Sequence, residues 1–194
     1  MSERAVRVLV AEDEALIRMD LVEMLGELGY DVVGQASDGQ VAVDLARSLR
    51  PDGVMLDVAM PVRDGLSAAE EICGDAIAAV VLVTAFSQRD VVERATAAGI
   101  TGYLVKPFTA SDLRPAIDVA VARWHQVQGL SAEVATLAQR LADRDRVEAA
   151  KTRLQEVFGL SEADAIALLR RQAMDARVTL AEVAATVLGG DAPA

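Results

Sequence analysis

Four short stretches carry residues able to do chemistry together: Glu12-Asp13-Glu14, Asp57, Thr84-Ala85 and Lys106-Pro107. Carboxylates brought within a few ångströms of one another repel, and one pKa rises, unless a cation stands among them. Such oxygen ligands, with positions left open for water, suit Mg²⁺ or Mn²⁺. A divalent ion together with Lys106 would stabilise negative charge on a phosphoryl group carried by Asp57, and the Thr84 hydroxyl could bond one of its oxygens. The chemistry implied is phosphoryl transfer to a carboxylate nucleophile. Each signal alone has an ordinary reading. Glu12 to Glu14 would make a negative first turn favoured by a helix dipole, Asp57 an acid leaving a strand, and Lys106 a surface lysine before a rigid bend. Their joint placement outweighs those readings.

That placement follows from the elements in front of each stretch. Residues 6–10 read as a strand, and Ile17, Leu21, Met24, Leu25 and Leu28 form a helical stripe that Gly29 ends. A second strand is expected over 31–34, and a second helix over 39–49, stopped by Pro51. Val54, Met55 and Leu56 are apolar without a period, as in a strand buried on both faces, and the run then meets Asp57. A short helix over about 67–73, a strand over 79–83, a helix over about 88–98 and a strand over 103–105 follow. A fifth helix starts near 109–111; with Ser111 as its cap Pro115 falls in the first turn, and with Thr109 as its cap one hydrogen bond is lost. Five strand–helix units in about 120 residues point to an α/β fold, a flavodoxin-like five-stranded parallel sheet covered on both faces. All four chemical stretches lie at the carboxyl ends of strands, where such sheets bind ligands.

Composition narrows the classes. The 194 residues are 53% hydrophobic, ample for a core, and only 3% aromatic, which argues against reading bases on aromatic platforms. One cysteine, Cys73, excludes a disulfide framework and fits a reducing, cytoplasmic setting. No run approaches the ~18 apolar residues of a membrane span, and no signal peptide is recognisable. Of the net charge of −11, residues 1–125 carry most, with 20 acids against 11 bases; the remainder has 10 against 8. A non-specific polyanion binder is disfavoured.

Residues 5 to about 125 resemble the receiver domain of two-component response regulators. The stretches that carry the resemblance are Val8-Leu9-Val10-Ala11-Glu12-Asp13-Glu14, Met55-Leu56-Asp57 with Met60-Pro61 and Asp64-Gly65, Val83-Thr84-Ala85, and Gly102-Tyr103-Leu104-Val105-Lys106-Pro107-Phe108. The resemblance implies that Asp57 accepts phosphate from a sensor histidine kinase. It implies that Glu12, Asp13, Asp57 and the Ala59 backbone carbonyl hold Mg²⁺, or Mn²⁺ in its place. Lys106 would pair with the phosphoryl group, Thr84 would move to contact it, and Tyr103 matches an aromatic position that turns inward on activation. Ala59 and Phe86 replace polar residues frequent in that family, so neither can orient a hydrolytic water and the phosphoryl group is expected to be long-lived.

Beyond residue 125 the strand signal ends. Val127, Leu130, Val134, Leu137 and Leu141 step by three and four, the seam of a short coiled coil, which fails at Arg144-Asp145-Arg146. Gly129 inside it is a candidate hinge, with Ser131 capping a new helix. Ser161-Glu162-Ala163-Asp164 and Thr179-Leu180-Ala181-Glu182 read as caps opening two short helices, the second closed by Gly189-Gly190. This region, about 130–189, resembles the ANTAR module of transcription antiterminators, through Ala150-Lys151, Ser161 to Ala165, Leu168 to Met174 and Val178 to Ala184. Thr152 departs mildly from a glycine frequent there. The resemblance implies binding of RNA hairpins in nascent transcripts. Lys151, Arg153, Arg170, Arg171 and Arg177 are the available cations, although each could equally be a solvated or ion-paired helix residue.

The expected organisation is a receiver over 5–125, a linker and coiled-coil helix over 126–148, and an ANTAR-like RNA-binding domain over 149–189, the last two forming a small all-α part of three helices. The expected function is a phosphorylation-activated regulator acting as an antiterminator, not an enzyme. It would pair as a homodimer through the seam when phosphorylated, since two loops bound at fixed spacing gain avidity. Its competitor is a receiver that relays phosphate or sequesters a partner and binds no RNA. A phosphatase using Asp57 would need a second acid two residues on, where Ala59 stands.

Overall fold

The computed structural model describes residues 4–85 and 99–189. The chain divides into two compact units, Met1–Gly129 and Leu130–Ala194. The first unit contains β1 (Arg7–Ala11), α1 (Ala15–Glu27), β2 (Asp31–Ala36), α2 (Gly39–Leu49), β3 (Gly53–Asp57), α3 (Gly65–Gly74), β4 (Ala79–Thr84), β5 (Gly102–Val105) and the opening turns of α4, which runs Ala110–Phe158. The expected helix over about 88–98, and Phe86, lie outside the described residues.

The five strands are all parallel, in the order β2-β1-β3-β4-β5. Side chains alternate across the sheet. Leu9, Val54, Leu56, Val80 and Leu82 meet Ala42, Val43 and Ala46 of α2 and Ala68, Ala69 and Ile72 of α3 on one face. Val8, Val10, Met55, Val81, Val83 and Leu104 meet Leu21 and Leu25 of α1 and Leu113, Ile117, Ala120 and Val121 of α4 on the other. Both faces are buried, so β3 and β4 are buried at every position and show no period-two pattern in sequence. Each large side chain withdrawn here contributes about 1.5–3 kcal/mol of transfer free energy, which outweighs the weak strand propensity of the glycines and alanines among them.

Helix starts follow local chemistry. Asp38 and Asp64 cap α2 and α3 by accepting from the amides of Val41 and Ser67. Thr109 stands just before α4 and donates both its amide and its hydroxyl to Asp112. Pro115 therefore lies inside the helix, beyond the first turn, and removes one backbone hydrogen bond.

The second unit is helical: the remainder of α4, α5 (Glu162–Ala176) and α6 (Leu180–Gly189). The expected break at Gly129 does not occur, and α4 is continuous through it. A helical glycine costs about 1 kcal/mol, less than the loss of the consecutive backbone hydrogen bonds a break would cause. Ser161 caps α5 by accepting from the Asp164 amide, and Thr179 with Glu182 forms a reciprocal box at the start of α6. Ala150, Leu154, Ala165, Leu169, Val183, Ala184 and Val187 make a small core among the three helices.

Candidate functional site

Strand order reverses between β1 and β3, and a crevice at such a switch point is where doubly wound sheets bind ligands. Glu12 follows β1 and Asp57 ends β3, so this topology places both there. The carboxylates of Glu12, Asp13 and Asp57 each offer one oxygen, all within 4.8 Å of one another. Lys106, just past β5, reaches back so that its ammonium lies 2.7 Å from Glu12 Oε2 and 2.8 Å from Asp57 Oδ1. Three ionised carboxylates and one ammonium leave two negative charges uncompensated. At an effective dielectric near 20, two unit charges 4 Å apart repel by about 4 kcal/mol. A hard divalent cation matches both the charge deficit and the oxygen donors.

Burial sets the electrostatics. Glu12 is 1% exposed and Asp57 5%. Burial, reinforced by the charge of Asp57, raises the Glu12 carboxyl above its ordinary pKa; hydrogen bonding and charge from Lys106 oppose this only in part. Lys106 also titrates above the usual lysine range. Burial is the largest single effect on it and acts downward, but hydrogen bonds to Asp57 and Glu12, with their charges, outweigh it.

Neighbouring groups fix this arrangement. The Ala59 amide donates to Asp57 Oδ2 at 3.0 Å, and the Gly65 amide to the Val58 carbonyl at 3.0 Å. A Cβ at Gly65 would collide with the Asp57 carbonyl oxygen, so only glycine lets α3 start this close to the end of β3. Thr84 is buried at the end of β4, and its carbonyl accepts from the Lys106 amide at 2.8 Å. Tyr103 on β5 is 54% exposed. Arg18 is a residue that sequence reasoning passed over. Its guanidinium donates to the Glu12 carbonyl at 2.5 Å and reaches the Asp13 carbonyl at 3.5 Å, gripping the turn that carries two of the carboxylates. A lone arginine on an amphipathic helix reads as solvated. The signal that marks it is spacing, one turn or so past an acidic strand end.

In the second unit the five candidate cations divide. Lys151 is 9% exposed, and its ammonium bonds Glu148 at 2.9 and 3.1 Å and Glu162 at 2.8 Å. Those bonds, first to Glu162 and then to Glu148, raise its pKa. Arg153 donates to the Leu188 carbonyl at 3.1 Å. Arg170, Arg171 and Arg177 are exposed, and no side-chain hydrogen bond or ion pair joins them to other described residues.

Comparison with known proteins matches residues 8–118 to the response regulator receiver domain and residues 135–188 to the ANTAR domain. The chain belongs to the receiver–ANTAR response regulators. It is 57% identical over 182 residues to the transcriptional regulatory protein PdtaR of Mycobacterium tuberculosis, spanning 94% of this chain and 89% of that one. Over 113 residues it is 36% identical to the chemotaxis protein CheY of Thermotoga maritima, 58% of this chain and 94% of that one. The receiver superposes on the signal receiver domain of a modulated diguanylate cyclase from Desulfovibrio desulfuricans with a TM-score of 0.59 at 30% identity, covering 63% of this chain and 98% of that one. Receiver–ANTAR proteins are regulators rather than a class of enzyme. No described helix is long and apolar enough to cross a membrane.

Proposed function

We propose that this response regulator accepts a phosphoryl group on Asp57 from a sensor histidine kinase and, so modified, binds RNA hairpins in nascent transcripts to suppress termination. The observation that carries the first half is Lys106 held between Glu12 and Asp57 beside a third carboxylate, Asp13. Glu12, Asp13 and Asp57, with the Ala59 backbone carbonyl, would hold Mg²⁺ or Mn²⁺, which when bound supplies charge neutralisation for the incoming phosphoryl oxygens. The chain's own groups do the rest. Asp57 attacks, Lys106 pairs with a phosphoryl oxygen, and Thr84 closes onto the group while Tyr103 moves inward from its exposed position.

The second half is supported by the ANTAR domain and its arginines. Val127, Leu130, Val134, Leu137 and Leu141 lie along α4 and are each 51–65% exposed, an apolar stripe suited to pairing with a second copy. Homodimerisation on phosphorylation would bring two RNA surfaces together and raise avidity.

The test uses full-length protein treated with a small phosphodonor, or with beryllofluoride and Mg²⁺, against a stem-loop RNA library with randomised loops. The wild type is expected to take up phosphate, self-associate and enrich defined loops, whereas Asp57→Asn takes up no phosphate and enriches weakly. Phosphate uptake undiminished in Asp57→Asn would remove the assignment. Uptake and pairing without enriched RNA would favour the relay or sequestration role.

A further inference from the structure

Resting on that RNA-binding reading, we propose that the RNA loop is met by the outer face of α5 and the turn that ends it, through Arg170, Arg171 and Arg177 with Met174 and Val178 among them. On this assignment Lys151 and Arg153 hold the three helices together and leave the RNA untouched.

The division begins with what each cation already does. An ammonium has three donors, and the three short contacts of Lys151 all go to Glu148 and Glu162. Glu148 lies on α4 and Glu162 begins α5, so the lysine ties one helix to the next. Freeing it for a phosphate would leave two carboxylates without their cation. Arg153 caps the last turn of α6 through the Leu188 carbonyl, satisfying an acceptor that the helix itself cannot. Both residues act inward.

The face of α5 opposite its core presents the contrasting set. Ala165 and Leu169 are buried against α4 and α6, while Ala163, Ala167, Arg170, Arg171 and Met174 are exposed. Those positions follow at four, then three or four, then four or three residues, one stripe of a helix. Small alanines at its start let a sugar–phosphate chain approach the helix closely. Two arginines stand at the middle, and Arg177 continues the stripe in the turn. Arg177 sits at φ 55°, in the left-handed region, as the residue that ends α5.

Apolar exposure completes the surface. Met174 is 79% exposed and Val178 42%. RNA loops differ from paired stems in having bases that can splay out and lie on apolar surface or guanidinium planes. Aliphatic groups set among forked donors suit a splayed base flanked by phosphates. A stem alone would offer only the phosphates.

Counterion release gives the assignment a number. Each phosphate neutralised contributes roughly 0.7–0.9 to the slope of log affinity against log salt. Three arginines per protomer predict a slope of roughly 2–3, whereas five cations predict roughly 3.5–4.5.

The experiment takes full-length phosphorylated protein and the stem-loop RNA most enriched by the wild type from the randomised-loop library. Arg170→Gln, Arg171→Gln and Arg177→Gln are each expected to weaken binding by about tenfold and to lower the salt slope by roughly 0.7–0.9, with melting temperature unchanged. Met174→Ser is expected to weaken binding to that loop while leaving the salt slope alone. Arg153→Gln is expected to lower the melting temperature, yet the folded protein keeps the full slope. Wild-type binding with the three arginine variants at the wild-type slope overturns the assignment, as does a slope lost in Arg153→Gln measured well below its melting point. A wild type that enriches no RNA overturns the RNA-binding reading itself, and this inference with it.

Discussion

Lys106 and Glu12, 94 residues apart in sequence, form a contact of 2.7 Å in which the carboxylate is almost wholly withdrawn from water. Removing the amine by Lys106→Met leaves Glu12 and Asp57 facing each other without their shared cation. A loss of about 1–3 kcal/mol at neutral pH is expected, at the low end because the lysine keeps about a fifth of its surface in solvent. The Glu12 pKa, already raised, would rise further. A folded-state pKa above the unfolded value stabilises below the unfolded pKa and loses that contribution as pH rises. The variant should therefore recover toward the wild type as pH falls, which urea melts at several pH values would reveal. A gap that widens on acidification contradicts this.

Divalent-ion affinity should show the same carboxylate. Protons compete for Glu12 at a higher pH than for a surface glutamate, because burial raises it. Calorimetric titration with Mn²⁺ is expected to show affinity declining while exposed carboxylates are still fully ionised. Constant affinity down to pH 4.5, the ordinary glutamate value, would remove Glu12 from the ligand set.

Arg18→Ala should loosen the turn that presents Glu12 and Asp13 to Asp57. A fall in Mn²⁺ affinity of about tenfold is expected, the equivalent of one charge-assisted hydrogen bond. Arg18→Lys, which offers a point charge without the fork, should restore it only in part. Equal affinity in all three proteins would show that the turn holds itself.

Ala59 is exposed two residues past Asp57, the proposed phosphoacceptor, and bears no group able to orient water. Ala59→Asn is expected to shorten the phosphoryl half-life by about tenfold, the value of one well-placed hydrogen bond in a transition state. An unchanged or longer half-life would falsify the view that the alanine preserves the modified form.

Tyr30 donates its hydroxyl to Asp118 at 2.6 Å, and the Arg114 guanidinium lies 5.8 Å from its ring centre. The phenol titrates well above 10, from burial first and then from the hydrogen bond and charge of Asp118. Tyr30→Phe should cost about 1 kcal/mol at pH 7. Because the folded pKa is raised, the tyrosine's contribution is complete below pH 10 and declines above it. Denaturant midpoints of the two proteins should therefore converge as pH passes 10; parallel profiles would contradict the linkage.

The layers and the acidic crevice were legible in the sequence because each depends on local signals: unbroken apolar runs and chemical residues just past strand ends, with caps at Ser161 and Thr179 marking the short helices. The strand order followed from the default for five strand–helix units, and the caps at Asp38 and Asp64 emerge only in the fold. Sequence alone could not decide whether Gly129 interrupts the long helix, since a local cost of about 1 kcal/mol is easily overridden by helix continuity. Nor could it tell Lys151 from Arg170. Both read as cations on amphipathic helices, and only the folded arrangement brings Glu162 to the lysine while leaving the arginine open. Arg18 escaped notice for a related reason: its partners are backbone carbonyls, which every residue possesses.

The chain contains two lysines, Lys106 and Lys151, and each ammonium is clasped by a pair of carboxylates. Acylating reagents attack the neutral amine, so both nitrogens should react sluggishly in the resting fold. Their labelling rates then become two independent gauges read by mass spectrometry from one sample. Faster modification at 106 would register a rearranged acidic crevice, and faster modification at 151 would register α4 and α5 parting.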